Sequence, residues 1–277
     1  MRTLRRQWFG VVLVALLLSV VVPTLVAQIR DDEAICAQRI RNLTTAFAMY
    51  LQDYDEIMPL AFGRDRSGTW LYQYAHPVPH DWRTAQSGWR DAFASMWANA
   101  LIPYLRHPHE NMHCPTAIAR KLSSVSDYAN PLRRPLKVSY TYNGLLHQLV
   151  MARVEHPATV PAFWEGLGRS YLVGFALSNP RLNCSDPAAE CRYAPRRSEP
   201  PYCPLTGTML TPDSLWIHPR GVTMAFVDTH VRWRRLGLVT SPNDTNPEYD
   251  PYTGYNSSGV PSNFWWDGCY PLVFRPY

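Results

Sequence analysis

The strongest constraint in this sequence is a run without a charged side chain, Trp8 to Ala27, that passes directly into a polar, amphipathic stretch. At 1.5 Å per residue, ~20 helical residues cover ~30 Å, the thickness of a bilayer's hydrocarbon core. Arg2, Arg5 and Arg6 precede the run, and Asp31, Asp32 and Glu33 follow it. This cationic asymmetry predicts a basic cytoplasmic start over 1–7 and a single transmembrane crossing of the inner membrane over 8–27, with the remainder outside the cytoplasm. Beyond the run, Ile29, Cys36, Ile40, Leu43, Phe47, Tyr50 and Tyr54 recur at helical spacing, with Gln38, Arg39, Arg41, Gln52 and Asp53 on the opposite face. The pattern predicts a long N-terminal helix from about 8 to 55. Its amphipathic part, 28–58, should stop before Pro59 and pack on a head formed by 59–277. The basic start, the apolar run from Val11 to Val22, Pro23, and Ala27 before Gln28 also fit a cleavable signal peptide, which would release the head as a secreted protein.

Six cysteines, Cys36, Cys114, Cys184, Cys191, Cys203 and Cys269, in a chain read as exported predict disulfides. Six cysteines allow fifteen connectivities. The preferred pairing joins Cys184 to Cys191 across a short loop, Cys36 to Cys114 to tie the helix to the head, and Cys203 to Cys269. The spacing lacks a C-x2-C zinc signature, and His113 beside Cys114 is the one suggestive neighbour. The excess of 27 Lys+Arg over 22 Asp+Glu is scattered, which gives no footprint for nucleic acid. With 25 prolines against 14 glycines, long and stiff connections are expected in the head.

Residues 60–90 show no sustained period and read as a structured loop. Trp89 to Arg106 has helical spacing and reads as a second helix, followed by a polar loop carrying His107, His109 and His113. Val138 to Tyr142 alternates as a strand before Asn143-Gly144, residues 145–154 suit a short helix, and Thr159 to Glu165 reads as a strand that Pro161 places at an edge. Residues 178–215 form a proline- and cysteine-rich insertion. Val222 to Val227 and His230 to Arg234 read as a hairpin turning at Asp228-Thr229.

Several segments, taken in order, resemble the type IV pilin-like, pseudopilin-like proteins with a prepilin-type N-terminus and a His-x9-Asp-Gly motif. They are Cys36 to Thr44 with Met49-Tyr-Leu-Gln-Asp-Tyr-Asp-Glu56, Tyr104 to Pro115, Ser139-Tyr-Thr-Tyr-Asn-Gly144, the His218-to-Asp228 spacing, and Phe264 to Cys269 with Phe274-Arg-Pro276. The resemblance implies an α+β, pilin-like fold: a long N-terminal helix packed on an antiparallel sheet head with Pro- and Cys-rich loops. It also implies a non-catalytic structural subunit of a cell-envelope or type II secretion-like assembly, with the lipid bilayer and other subunits, bundled through the N-terminal helix, as partners. Two departures stand out. Gly10 is followed by Val-Val-Leu-Val-Ala, without the glutamate of the family's cleavage signal, and Thr229 stands where the motif has glycine. A β-branched residue is strained at positive φ, which predicts a different turn type here.

Candidate chemistry is sparse. His218, Asp228 and His230 could form a catalytic or metal trio, but the preferred reading has Asp228 accepting turn amides and His218 bonding backbone at the hairpin base. No nucleophile elbow, His-Glu-x-x-His or phosphate loop occurs, so no enzyme activity is expected. No cofactor is expected either. Asp244, Asn246, Glu248 and Asp250 offer the oxygen ligands calcium takes, without the spacing of an EF-hand. A rival binding role, for polysaccharide, would use Trp70, Trp82, Trp89, Trp265 and Trp266.

Overall fold

A computed structural model describes residues 2–71, 75–83, 89–122, 125–166, 170–179, 181–182, 191–193, 207–208, 218, 221–235, 254–255, 261–262 and 274–277. It is a mixed α/β protein with a six-stranded sheet and short helices around it. Helix α1 (Arg2–Asp53) has its side chains described mainly from Asp32 onward. There its apolar stripe, Cys36, Ile40, Leu43, Phe47, Tyr50 and Leu51, is buried against the head. Phe47 meets Phe163 edge-on at 5.3 Å, so the helix shares one core with the sheet. Tyr54, at the end of the stripe, is exposed and stacks on Tyr50. The helix stops because Asp55 and Glu56 both take positive φ, with the Glu56 amide reaching back to the Leu51 carbonyl.

The membrane reading is corrected. Among the described residues no helix is long and apolar enough to cross a membrane. The part of α1 seen in full is amphipathic, and its apolar side is taken up by the head instead of lipid. The single-pass inner-membrane anchor and the transmembrane segment over 8–27 are therefore withdrawn.

The main sheet uses β1 (Ala75–Pro77), β4 (Thr141–Tyr142), β5 (Pro161–Trp164), β7 (Phe175–Ser178), β8 (Gly221–Phe226) and β9 (Val231–Arg235). Its order is β9-β8-β5-β4-β7-β1. Beside it, β2 (Ile118–Arg120) and β3 (Lys137–Val138) flank β6 (Ser170–Val173). The expected antiparallel sheet is mixed: β4 runs parallel to β7, and β2 parallel to β6. Strand β5 is interior, not an edge. Pro161 is tolerated because it opens the strand and faces the register shift at Ala225/Phe226, where a ladder amide is not needed.

The segment 89–106 is not one helix. It divides into α2 (Trp89–Ala94) and α3 (Trp97–Leu101), because Met96 leaves the helix to bridge Leu60 and the Trp97 amide bonds the Leu60 carbonyl. The His107 region contains the short α4 (Pro108–Asn111), and 145–154 holds two 3-10 turns. Residues 60–90 contribute strand β1 to the main sheet.

The β8–β9 hairpin is present, with a longer turn than expected. The Thr229 amide bonds the Phe226 carbonyl and the Phe226 amide bonds the His230 carbonyl, so Val227, Asp228 and Thr229 form a three-residue loop. Thr229 has φ +73°, the left-handed bulge position that glycine usually fills. The turn is thus of another type than the two-residue one, as expected with threonine in place of glycine, but it still holds one left-handed residue, Thr229, which bears strain.

Candidate functional site

The site is assembled where α1 crosses the start of β8. Cys36, on the buried face of α1, is disulfide-bonded to Cys114, 78 positions along the chain, with a Cα–Cα distance of 4.8 Å. This is the pairing expected from sequence. The Ser139-Tyr-Thr-Tyr-Asn-Gly144 stretch holds it in place. The Cys114 amide donates to Ser139 Oγ (2.8 Å) and the Tyr140 hydroxyl donates to the Cys36 carbonyl (3.3 Å). The same stretch also clamps the surroundings: Tyr142 donates to the Pro59 carbonyl, and Asn143 Nδ2 donates to the carbonyls of Pro161 and Phe274.

Next to the disulfide lies a buried acid and base. Glu165 follows β5 and is 0% exposed; its Oε2 accepts the Thr223 amide of β8 at 2.9 Å. Its Oε1 has no hydrogen-bond partner and stands 3.6 Å from His218 Nε2. That same Nε2 is 3.5 Å from Cys114 Sγ. Two glycines permit this crowding. A Cβ on Gly166 would meet Thr141 Oγ1 at 2.5 Å, and one on Gly221 would meet the Trp233 ring at 2.2 Å. Burial pushes the His218 pKa down, but the charge of the neighbouring Glu165 carboxylate, with Glu33 and Asp32 of α1, outweighs it and leaves a net rise. One ligand atom from each of Cys36, Cys114, Glu165 and His218 lies within 4.8 Å of the others, all four residues being buried.

The proposed trio is split. His218 bridges Gly221 through its backbone at the base of the hairpin, while its side chain turns to Glu165. Asp228 and His230 sit at the exposed tip, with Asp228 Oδ1 accepting the His230 amide at 3.2 Å and lying 2.6 Å from His230 Nδ1. The six residues of β8 separate the two ends by roughly 20 Å. No family model, curated protein or solved structure matches this chain.

His107, His109 and His113 join no ligand cluster among the described residues. Burial, then the charges of Arg39 and Lys137, push His113 down to about 4. Of the tryptophans considered for polysaccharide, Trp70 and Trp82 are core residues, so they offer no ligand surface. Trp265 and Trp266 lie outside the described residues, as do Asp244, Asn246, Glu248 and Asp250 of the calcium candidate. So do Cys184, Cys203 and Cys269. Cys191 is disulfide-bonded. Glu165 was missed as a site residue. Its signal was a lone carboxylate closing the apolar run Val160 to Trp164, where an acid must find a partner on folding.

Proposed function

We propose that this chain is a non-catalytic, pilin-like structural subunit of a cell-envelope or secretion-type assembly, its head built on the C-terminal half of α1 and its N-terminal half packing against the same helix of a second copy. The observation that carries this reading is the division of labour along α1. From Cys36 to Leu51 its apolar side is buried in the head and pinned by the Cys36–Cys114 bond. Further toward the N-terminus, Val14, Leu17 and Val21 fall on one helical face and are 45–57% exposed. Large aliphatic side chains aligned and exposed on a helix favour a partner surface.

Enclosure of the Glu165–His218 pair supports a structural role for it, since a substrate has no path to groups 0% and 2% exposed. The order of motifs described above agrees with this reading. Intermolecular cross-linking tests it: Val14→Cys should yield covalent dimers on oxidation, whereas a cysteine placed at exposed Arg41, opposite the buried stripe, should not. Equal cross-linking at both positions, or at neither, would remove the basis for helix-mediated assembly.

A further inference from the structure

Beyond that structural role, we propose that reduction of the Cys36–Cys114 disulfide converts this knot into a tetrahedral site for one zinc-type divalent ion, held by Cys36 Sγ, Cys114 Sγ, Glu165 Oε1 and His218 Nε2. Sulfur, imidazole and carboxylate form the donor set that zinc prefers. Bond lengths of ~2.3 Å to sulfur and ~2.0–2.2 Å to nitrogen or oxygen imply ligand-to-ligand spacings of roughly 3.3–3.8 Å around a tetrahedron. His218 Nε2 already stands 3.6 Å from Glu165 Oε1 and 3.5 Å from Cys114 Sγ. The four ligand atoms all lie within 4.8 Å of one another, so the two sulfurs, now bonded to each other, must separate and the remaining pairs need close by no more than about 1.5 Å.

An independent observation also points to a cation. Glu165 Oε1 belongs to a fully buried carboxylate and accepts no hydrogen bond, although its partner oxygen does. Such an oxygen, 3.6 Å from an imidazole nitrogen, is short of positive charge. The backbone at Cys114 is already fixed from both sides: Ser139 Oγ accepts the Cys114 amide, and Arg39 donates to the carbonyl of His113, the residue before Cys114, at 2.9 Å.

A dithiol reductant breaks the Sγ–Sγ bond, transferring two electrons and two protons to give two thiols while itself closing to a disulfide. Binding of Zn2+ expels both thiol protons to solvent, and His218 binds through Nε2 as neutral imidazole, losing any imidazolium proton. Two thiolates, one carboxylate and the ion leave one net negative charge beside the Arg39 side chain.

The full chain, reduced with a dithiol and desalted without oxygen, is titrated with Co2+ and then Zn2+. One Co2+ per chain should bind with a sulfur-to-cobalt charge-transfer band and the intense visible bands of a tetrahedral site, and Zn2+ should displace it. The oxidised chain and a Cys36→Ser/Cys114→Ser variant should show neither band, while Glu165→Gln and His218→Ala should each weaken binding by about tenfold or more. Persistence of the bands in Cys36→Ser/Cys114→Ser would place the metal on other cysteines and overturn the proposal, as would undiminished binding in both Glu165→Gln and His218→Ala. Absence of bands in a reduced chain that keeps its near-ultraviolet circular dichroism also overturns it. Should reduction unfold the chain, Zn2+ must restore that dichroism, and failure to restore it counts equally against the site.

Discussion

Thr229→Gly is expected to stabilise this protein. Thr229 is exposed at the tip of the β8–β9 hairpin with φ +73°, and no hydrogen bond of its hydroxyl holds it there. A β-branched residue in the left-handed region costs on the order of 1–3 kcal/mol. Glycine removes that strain but adds unfolded-state entropy of ~0.5–1 kcal/mol. The net gain is about 1 kcal/mol. Urea unfolding followed by tryptophan fluorescence reads it: with a slope of about 3 kcal/mol/M, the midpoint should rise by ~0.3 M at constant slope. Thr229→Ala, which relieves crowding at Cβ but remains an L-residue at positive φ, should gain less than half as much. A midpoint that falls or stays fixed in Thr229→Gly refutes the strain argument, because the side chain lost is an exposed one.

Two further expectations concern burial and covalent restraint. Burial pushes His76 down to about 3, and burial, then the charge of Arg192, pushes His147 down to about 3. Between these values and the unfolded value near 6.5 the unfolded chain binds more protons, so the contribution of each is present above ~6.5 and is lost as pH falls, at about 1.4 kcal/mol per pH unit. His76, whose two ring nitrogens have no partner, offers the clean test: His76→Leu should flatten the loss of stability between pH 6.5 and 4.5 by roughly 3 kcal/mol in urea midpoints, and an unchanged slope would show that His76 is not held neutral. His218 has the opposite sign, its raised pKa giving stability that is complete below the unfolded value and fades as pH rises through the folded one. Removing the disulfide with Cys36→Ala/Cys114→Ala reopens a 78-residue loop and should cost roughly 4 kcal/mol by chain entropy; a loss under ~1 kcal/mol in metal-free urea unfolding would mean that the helix is held by its apolar stripe alone.

The sequence makes periodic features legible and spatial coincidences illegible. The stripe Cys36 to Tyr50 could be read because a helix repeats its buried positions every three or four residues, and the β8–β9 hairpin because apolar runs flank a turn. The Cys36–Cys114 pair could be favoured because a helix carried ahead of a head needs a tie. The break between α2 and α3 could not be read, since Met96 follows helical spacing and leaves the helix only because Leu60 offers a backbone partner. The parallel β4–β7 pair is equally hidden, because strand direction is decided by chain crossings that local pattern does not record. The His218–Glu165 pair was missed for the same reason: its members are 53 positions apart, and nothing periodic connects them. The His218-to-Asp228 spacing drew attention to two residues that β8 holds at opposite ends.

Sedimentation velocity of the full chain, compared with a Val14→Arg/Leu17→Arg variant, bears most directly on a subunit that associates through α1. The unaltered chain should sediment as concentration-dependent assemblies, and the variant as a monomer with an unchanged urea midpoint, because both positions are exposed and away from the head. A monomer at every concentration for the unaltered chain, or identical assemblies for both, would contradict the account.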